Sequence, residues 1–434
     1  MWSESRAKNR HYICLGALIL LGVLLRVGYV LTLPPGLGAS DETDYFESAQ
    51  GILAGSFDAT VYYHVPPVVP VLFAGVFALT GPSFLAARLF QCGLFFAIGA
   101  VAYLLGKRLG GRLAGLLCAA LVALYPYFVF YSGQALTETA ATLFIPLVLL
   151  LALRAADDYS PAGALLFGLS LAAASLTRAS AVYFVLAVPL IFAIAWGVRR
   201  TAWLKATGLA AAGFLALYLP WCAVNYRHFG TVIPAPTIGS GVMLYQTALR
   251  MTMPDEVARL KYLKAEVLPK YYYPPGGTDR DRLEGDRHLN AEGKRIIREN
   301  LDKYPAILWE NFSRFWQFYP RYSGEEGDRR ALIYKILGLG TYGILFPFII
   351  AGAVLGLRRF RKLSALYGFV AYFTLVHILL YGKLRYRLPM DPLLLAFGAY
   401  GFLACLARIR PIWLAALEGW TGCSAPSLKG DPHE

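Results

Sequence analysis

The chain is 434 residues long, 57% hydrophobic and only 16% charged, with a mean hydropathy of +0.50. Soluble domains average about 25% charged residues, so an ordinary cytosolic enzyme and a disordered polypeptide are both excluded. A formal charge of +14 in a soluble protein would suggest nucleic acid as a partner. In a membrane protein it first reports which side the loops occupy. Cys14, Cys92, Cys118, Cys222 and Cys405 fall in apolar stretches and Cys423 lies in the tail, which gives neither a disulfide framework nor a CxxC metal motif.

Apolar runs long enough to cross a bilayer predict about ten transmembrane helices, near 12–32, 87–106, 113–131, 134–153, 162–177, 180–197, 203–223, 331–357, 364–381 and 389–407. The first run is too long for a signal-peptide core and no small-residue cleavage site closes it, so it reads as a retained span. Val68–Thr80 is too short to cross and follows Pro66-Pro67, which predicts a re-entrant or interfacial helix. The expected organisation is an N-terminal transmembrane region at 1–225 with an external loop at 33–67. A large external loop at 226–330, a C-terminal transmembrane region at 331–410 and a cytoplasmic tail at 411–434 complete it.

Ten spans put both termini on one side. One set of short loops carries Lys107, Arg108, Arg112, Arg154, Lys205, Arg358, Arg359, Arg361, Lys362, Arg408 and Arg410, whereas the short loops opposite carry only Arg178, Lys383, Arg385 and Arg387. The positive-inside rule assigns the first set to the cytoplasm. Most of the +14 is therefore a topology signal, and no nucleic-acid partner is expected. The large loop holds 17 basic and 14 acidic residues, a near balance that reads as a folded mixed-charge unit. Its stretch Leu289–Tyr319 has helical spacing, with a break expected at Pro305.

Chemistry-bearing residues collect on the external side. Leu33–Pro66 contains no Lys or Arg, yet Ser40–Ser48 reads SDETDYFES and carries Asp41, Glu42, Asp44 and Glu47. The bland reading is a capped interfacial helix with its acids in water. The functional one is a general base or cation site at the membrane edge. Lys383, Arg385 and Arg387 lie on the same side just before the last span. They read either as anchors snorkelling to lipid headgroups or as a site for a phosphate or diphosphate, which Arg grips bidentately.

Arg178 is a weaker candidate of the same kind, and Arg26 could snorkel or line a cavity. Glu138 opens the fourth span, where the helix dipole alone would account for an acid. His64 with Asp41, Asp44 or Glu138 offers ligand types for a divalent metal, without the HExxH or paired-histidine spacing that would specify one. Walker A, GxGxxG and GxSxG sequences do not occur.

Several motifs occur in a fixed order: Asp41-Glu42-x-x-Tyr45 with Ala49, YYHVPP, Gly81-Pro82, AARLFQ, Tyr125-Pro126, SGQALTE, LTR at 176–178, Pro234 with GSGVMLYQ, and GKLRYRLPMDPLL. Spread over nearly the whole chain, this set resembles the bacterial GT-C glycosyltransferases of the protein O-mannosyltransferase and lipid A aminoarabinose transferase type. The resemblance implies an all-α enzyme of the outer membrane face. It would take a sugar from a polyprenyl-phosphate carrier and pass it, usually with inversion, to a lipid, glycan or protein acceptor in the bacterial inner membrane.

Carried over by motif, Asp41 matches the catalytic acid residue and Glu42 its companion. His64 falls near the donor phosphate, and Arg385 with its neighbours near the carrier phosphate. Asp44, Tyr45, Glu138, Arg178, Lys383 and Arg387 complete the expected substrate site. Two departures count against aminoarabinose: Asp44 stands where those transferases carry Arg, and Val65 where they carry Lys. The rival reading is a transporter or flippase for an anionic lipid-linked substrate, which would place ionisable residues deep within the spans.

Overall fold

The computed structural model describes residues 2–36, 40–56, 65–157, 159–197, 201–272, 274–320 and 327–421; His64, assigned above to the donor site, lies outside them. The described elements are all helical. Among the described residues seven helical stretches are long and apolar enough to cross a membrane, and Pro161–Thr177 is a shorter apolar helix.

Two of the seven are hairpins. In Phe84–Leu124 the helix breaks at Gly110 and at Gly111, whose φ of +79° suits glycine. A Cβ at Gly106 would meet Cys118 Cβ at 2.7 Å, whereas a straight helix would set residues twelve apart at about 18 Å. Likewise Tyr367 donates its hydroxyl to the Ala353 carbonyl at 2.6 Å, which requires the chain to reverse at Leu357–Arg359. Counting each hairpin as two passes and including Pro161–Thr177 gives the ten spans that the sequence predicts.

The local differences have physical causes. The predicted span 113–131 breaks before Pro126, because Tyr125 is extended (φ −67°, ψ 115°) and Pro126 starts a new short helix, Pro126–Ser132. Span six begins as a 3₁₀ helix, Ala179–Ala187, before Val188–Trp196. Span seven continues to Phe229, where Gly230 ends it in the left-handed conformation. Val68–Thr80 is a helix of 13 residues, about 20 Å long, and so short of the ~30 Å hydrocarbon core. It packs its Phe73 and Phe77 against Tyr45 and Ala49 of the helix Ser40–Leu53.

The main core lies between the spans and centres on Thr137–Asp157 and Leu384–Ile409, in whose most apolar 18 residues 72% and 67% are buried, against 17% in Arg10–Leu31. Gly352 and Gly401 let Ile344–Gly356 meet Asp391–Ile409 backbone to backbone, the small-residue contact that membrane helices favour. The large loop has a separate core of Phe229, Val242, Leu249, Val267, Leu283 and Leu289, among others. Its later helices are Asp279–Glu299 and Tyr304–Trp316, with Pro305 in the first turn of the second.

Candidate functional site

The helix Ser40–Leu53 lies at one end of the bundle, braced by Glu42. This carboxylate is fully buried and accepts the Ala135 N–H at 2.5 Å. The helix thus docks against the loop before the fourth span. Span two supplies two further braces that the sequence reading did not single out as site residues. Arg88 donates to the Pro34 and Gly36 carbonyls at 2.9 and 2.8 Å, and Gln91 donates to the Gln134 carbonyl at 2.5 Å. Both belong to the AARLFQ stretch, where a pair of polar residues in an apolar span was the available signal.

With that helix fixed, four charged side chains meet in a row. Arg385 donates to Asp41 Oδ2 at 3.2 Å and to Glu138 Oε1 at 2.5 Å, and Arg178 donates to the same Glu138 oxygen at 3.2 Å. Arg178 also donates to Thr137 Oγ1 at 3.1 Å and lies 5.1 Å from the centre of the Tyr386 ring. Exposure falls along the row, from 46% at Asp41 and 30% at Arg385 to 1% at Glu138. The row therefore runs from a buried anion to a half-open carboxylate. Glu138, enclosed by two guanidiniums, is the fixed point: a carboxylate buried without cations would be costly.

Tyr45 lies buried beside Thr137 and Glu138, and burial pushes its phenol well up. Asp44 is half-buried one turn from Asp41.

The three cations before the last span divide. Lys383 is exposed, 4.9 Å from the Tyr381 ring. Arg385 joins the row. Arg387 is fully buried; it donates to Asp391 at 2.9 Å and to the Gln317 carbonyl at 2.9 Å, with its guanidinium 3.9 Å from the Tyr342 ring. It thus ties the end of the large loop to the last span.

Asn311 latches the loop to the turn that carries Arg385. It accepts from Arg250 at 2.7 Å and from the Gly382 N–H at 3.3 Å, and it donates to the Ile378 carbonyl at 2.8 Å. Around that turn, burial pushes the Tyr381 phenol up, but the neighbouring Lys383 and Arg250 hold it below its ordinary value.

Arg26 does not snorkel; it lines a small cavity with Phe95, Ile98 and Glu138. It is buried over the Phe95 ring at 3.7 Å and donates to the Gly22, Val122 and Ala123 carbonyls. The latter two are orphaned where Pro126 breaks the helix. Among the described residues no three His, Cys, Asp or Glu converge as metal ligands. Asp41 and Glu138, offered above as ligands, both face a guanidinium, and His64 lies outside the described residues.

Residues 64–223 match the family described as dolichyl-phosphate-mannose-protein mannosyltransferase. No curated protein sequence matches the chain significantly. Among solved structures it is similar to the oligosaccharyltransferase AglB of Archaeoglobus fulgidus in complex with an inhibitory peptide and a dolichol-phosphate. The TM-score is 0.60 at 17% identity, over 94% of this chain and 51% of that one. The same enzyme with Zn and sulfate gives 0.54 at 17% identity, over 95% and 54%. ArnT of Cupriavidus metallidurans bound to undecaprenyl phosphate gives 0.52 at 14% identity, over 93% and 64%. The chain thus spans about half the length of the oligosaccharyltransferase. Its fold is therefore like that of AglB and ArnT, and residues 64–223 carry the mannosyltransferase family's pattern.

Proposed function

We propose that this integral membrane protein is a glycosyltransferase that moves a sugar from a polyprenyl-phosphate carrier to a lipid, glycan or protein acceptor. It would act on the periplasmic or extracellular face of a bacterial plasma membrane. The observation that carries the reading is the row Asp41–Arg385–Glu138–Arg178, most open to solvent at its Asp41 and Arg385 end.

In this reading a carrier phosphate competes with Asp41 for the Arg385 guanidinium, a charge-assisted contact well suited to phosphate oxygens. The carboxylate so released takes the proton of the acceptor hydroxyl. The acceptor oxygen then forms its bond to the sugar C1 as the bond from C1 to the phosphate oxygen breaks. The electron pair stays on the phosphate, where Arg385 meets the added charge. Glu138 and Arg178 keep Arg385 in place, and a single displacement inverts C1. A flippase would need a charge in the spans free to exchange partners, and Arg26 is committed to three carbonyls.

The test is turnover of a panel of radiolabelled polyprenyl-phosphate sugars by purified protein, with membrane lipid and protein acceptors and with or without chelator. Wild type should release free polyprenyl phosphate, and Asp41→Asn should release it about 10²–10⁴-fold more slowly. A carrier that binds and keeps its sugar under every condition would move the transport reading ahead.

A further inference from the structure

The opposite end of the bundle holds a second concentration of charge, around a cavity of about 360 Å³. Glu138 and Asp157 open and close the same helix, and nineteen residues at about 1.5 Å each put them about 28 Å apart, close to one bilayer core. The wall is formed by Lys107 and Arg108 from span two, Arg154 and Asp157 from span four, and Arg359 and Lys362 from the turn between spans eight and nine. That is five cations against one carboxylate. Arg108 is paired with Asp157, and Arg359 donates to the Leu109 carbonyl at 2.5 Å. Lys107, Arg154 and Lys362 add three charges that no carboxylate of the wall balances. The rest of the wall is four leucines.

Sidedness alone does not account for this arrangement. The positive-inside rule asks for basic residues on one side, not for three separate segments to converge on one concavity. Like charges gathered around a low-dielectric wall repel one another, and an anion relieves that repulsion. The volume falls within the range of small-ligand sites, and leucines beside the cations suit a ligand that is anionic at one end and apolar at the other.

We propose that this cavity binds the phosphate-bearing headgroup of an anionic phospholipid, from the leaflet opposite the Asp41 site. Basic pockets between spans recognise such headgroups through the same charge, and Arg154 can grip two phosphate oxygens at once.

The test is native mass spectrometry of the intact detergent-solubilised protein with equimolar phosphatidylglycerol and phosphatidylcholine. Wild type should retain one phosphatidylglycerol in preference to phosphatidylcholine. Lys107→Gln/Arg154→Gln/Lys362→Gln should lose that preference by about 100-fold, at roughly 1 kcal/mol per cation. Lys205→Gln/Arg408→Gln/Arg410→Gln removes the same charge from the same end outside the cavity and should bind as wild type does. Should the first triple variant fail to purify, Lys362→Gln alone should weaken retention about fivefold. Equal loss in the two triple variants, or no preference between the lipids, would overturn the proposal. Displacement of the lipid by millimolar inorganic phosphate would overturn the lipid assignment and leave a site for the free anion.

Discussion

Arg385 and Arg387 stand two residues apart in one motif and do opposite things. A step of two residues turns a helix by about 200°, so their side chains leave on opposite faces. Arg385 reaches Glu138 and Asp41, 247 and 344 positions away in sequence, and stays 30% exposed. Arg387 turns inward to Asp391 four residues on and to the end of the large loop, with nothing exposed. The comparison separates a cation that a ligand can reach from one that holds the fold. Composition and spacing are the same for both; only the packing distinguishes them.

The comparison can be broken at either arginine. The largest effect should come at the open end: Asp41→Asn should lower turnover about 10²–10⁴-fold. A half-exposed ion pair contributes only about 0–1 kcal/mol, so the unfolding midpoint should barely move. Next, Arg387→Ala should destabilise the protein by about 3–5 kcal/mol, because it strands buried Asp391. Arg385→Ala should cost less, since Arg178 still pairs with Glu138; thermal unfolding in detergent compares the two. Equal destabilisation would erase the distinction.

Asn311→Ala sharpens the comparison by loosening the latch without touching either arginine. It should cost about 1–3 kcal/mol and also slow turnover, as the turn bearing Arg385 loses its support.

The smallest effect belongs to Asp286 in the large loop. Its carboxylate accepts the Val242 N–H at 3.1 Å in the first turn of Ser240–Thr252, where Gly239 supplies no capping side chain. Burial raises this carboxyl above its ordinary value, beyond what the backbone donors Val242, Gly241 and Gly239 lower it. A raised pKa means that the folded state holds the proton more tightly than the unfolded chain does. The stabilisation is therefore complete at low pH and lost as pH rises through the folded-state value. Asp286→Asn should flatten that slope in unfolding midpoints measured between about pH 4 and 8.

The spans and the break near Pro305 were legible because they depend on local apolar runs and on proline. The acidic helix and the outward cations were legible as an inventory. The sequence could not say that Glu42 faces inward to Ala135 while Asp41 stays half-open, since that depends on how the helix docks. Arg26 looked like an intramembrane oddity because the carbonyls it caps lie 96 and 97 positions away. Arg387, read from the sequence as a phosphate ligand, finds its carbonyl partners at the distant end of a folded loop. The contacts of Glu42 with Ala135, of Arg26 with Val122 and Ala123, and of Arg387 with the loop carbonyls are distant in sequence, which periodicity does not encode.

The most direct measurement separates donor binding from sugar release in three variants. Affinity for polyprenyl phosphate and single-turnover release from the sugar-loaded carrier should be measured in Asp41→Asn, Arg385→Gln and Arg387→Lys. The expected result is intact affinity with lost release for Asp41→Asn, and weakened affinity for Arg385→Gln. Arg387→Lys should change the unfolding midpoint more than either constant. Normal release by Asp41→Asn, or unchanged donor affinity in Arg385→Gln, would contradict the assignment of this row of charges as the transferase centre.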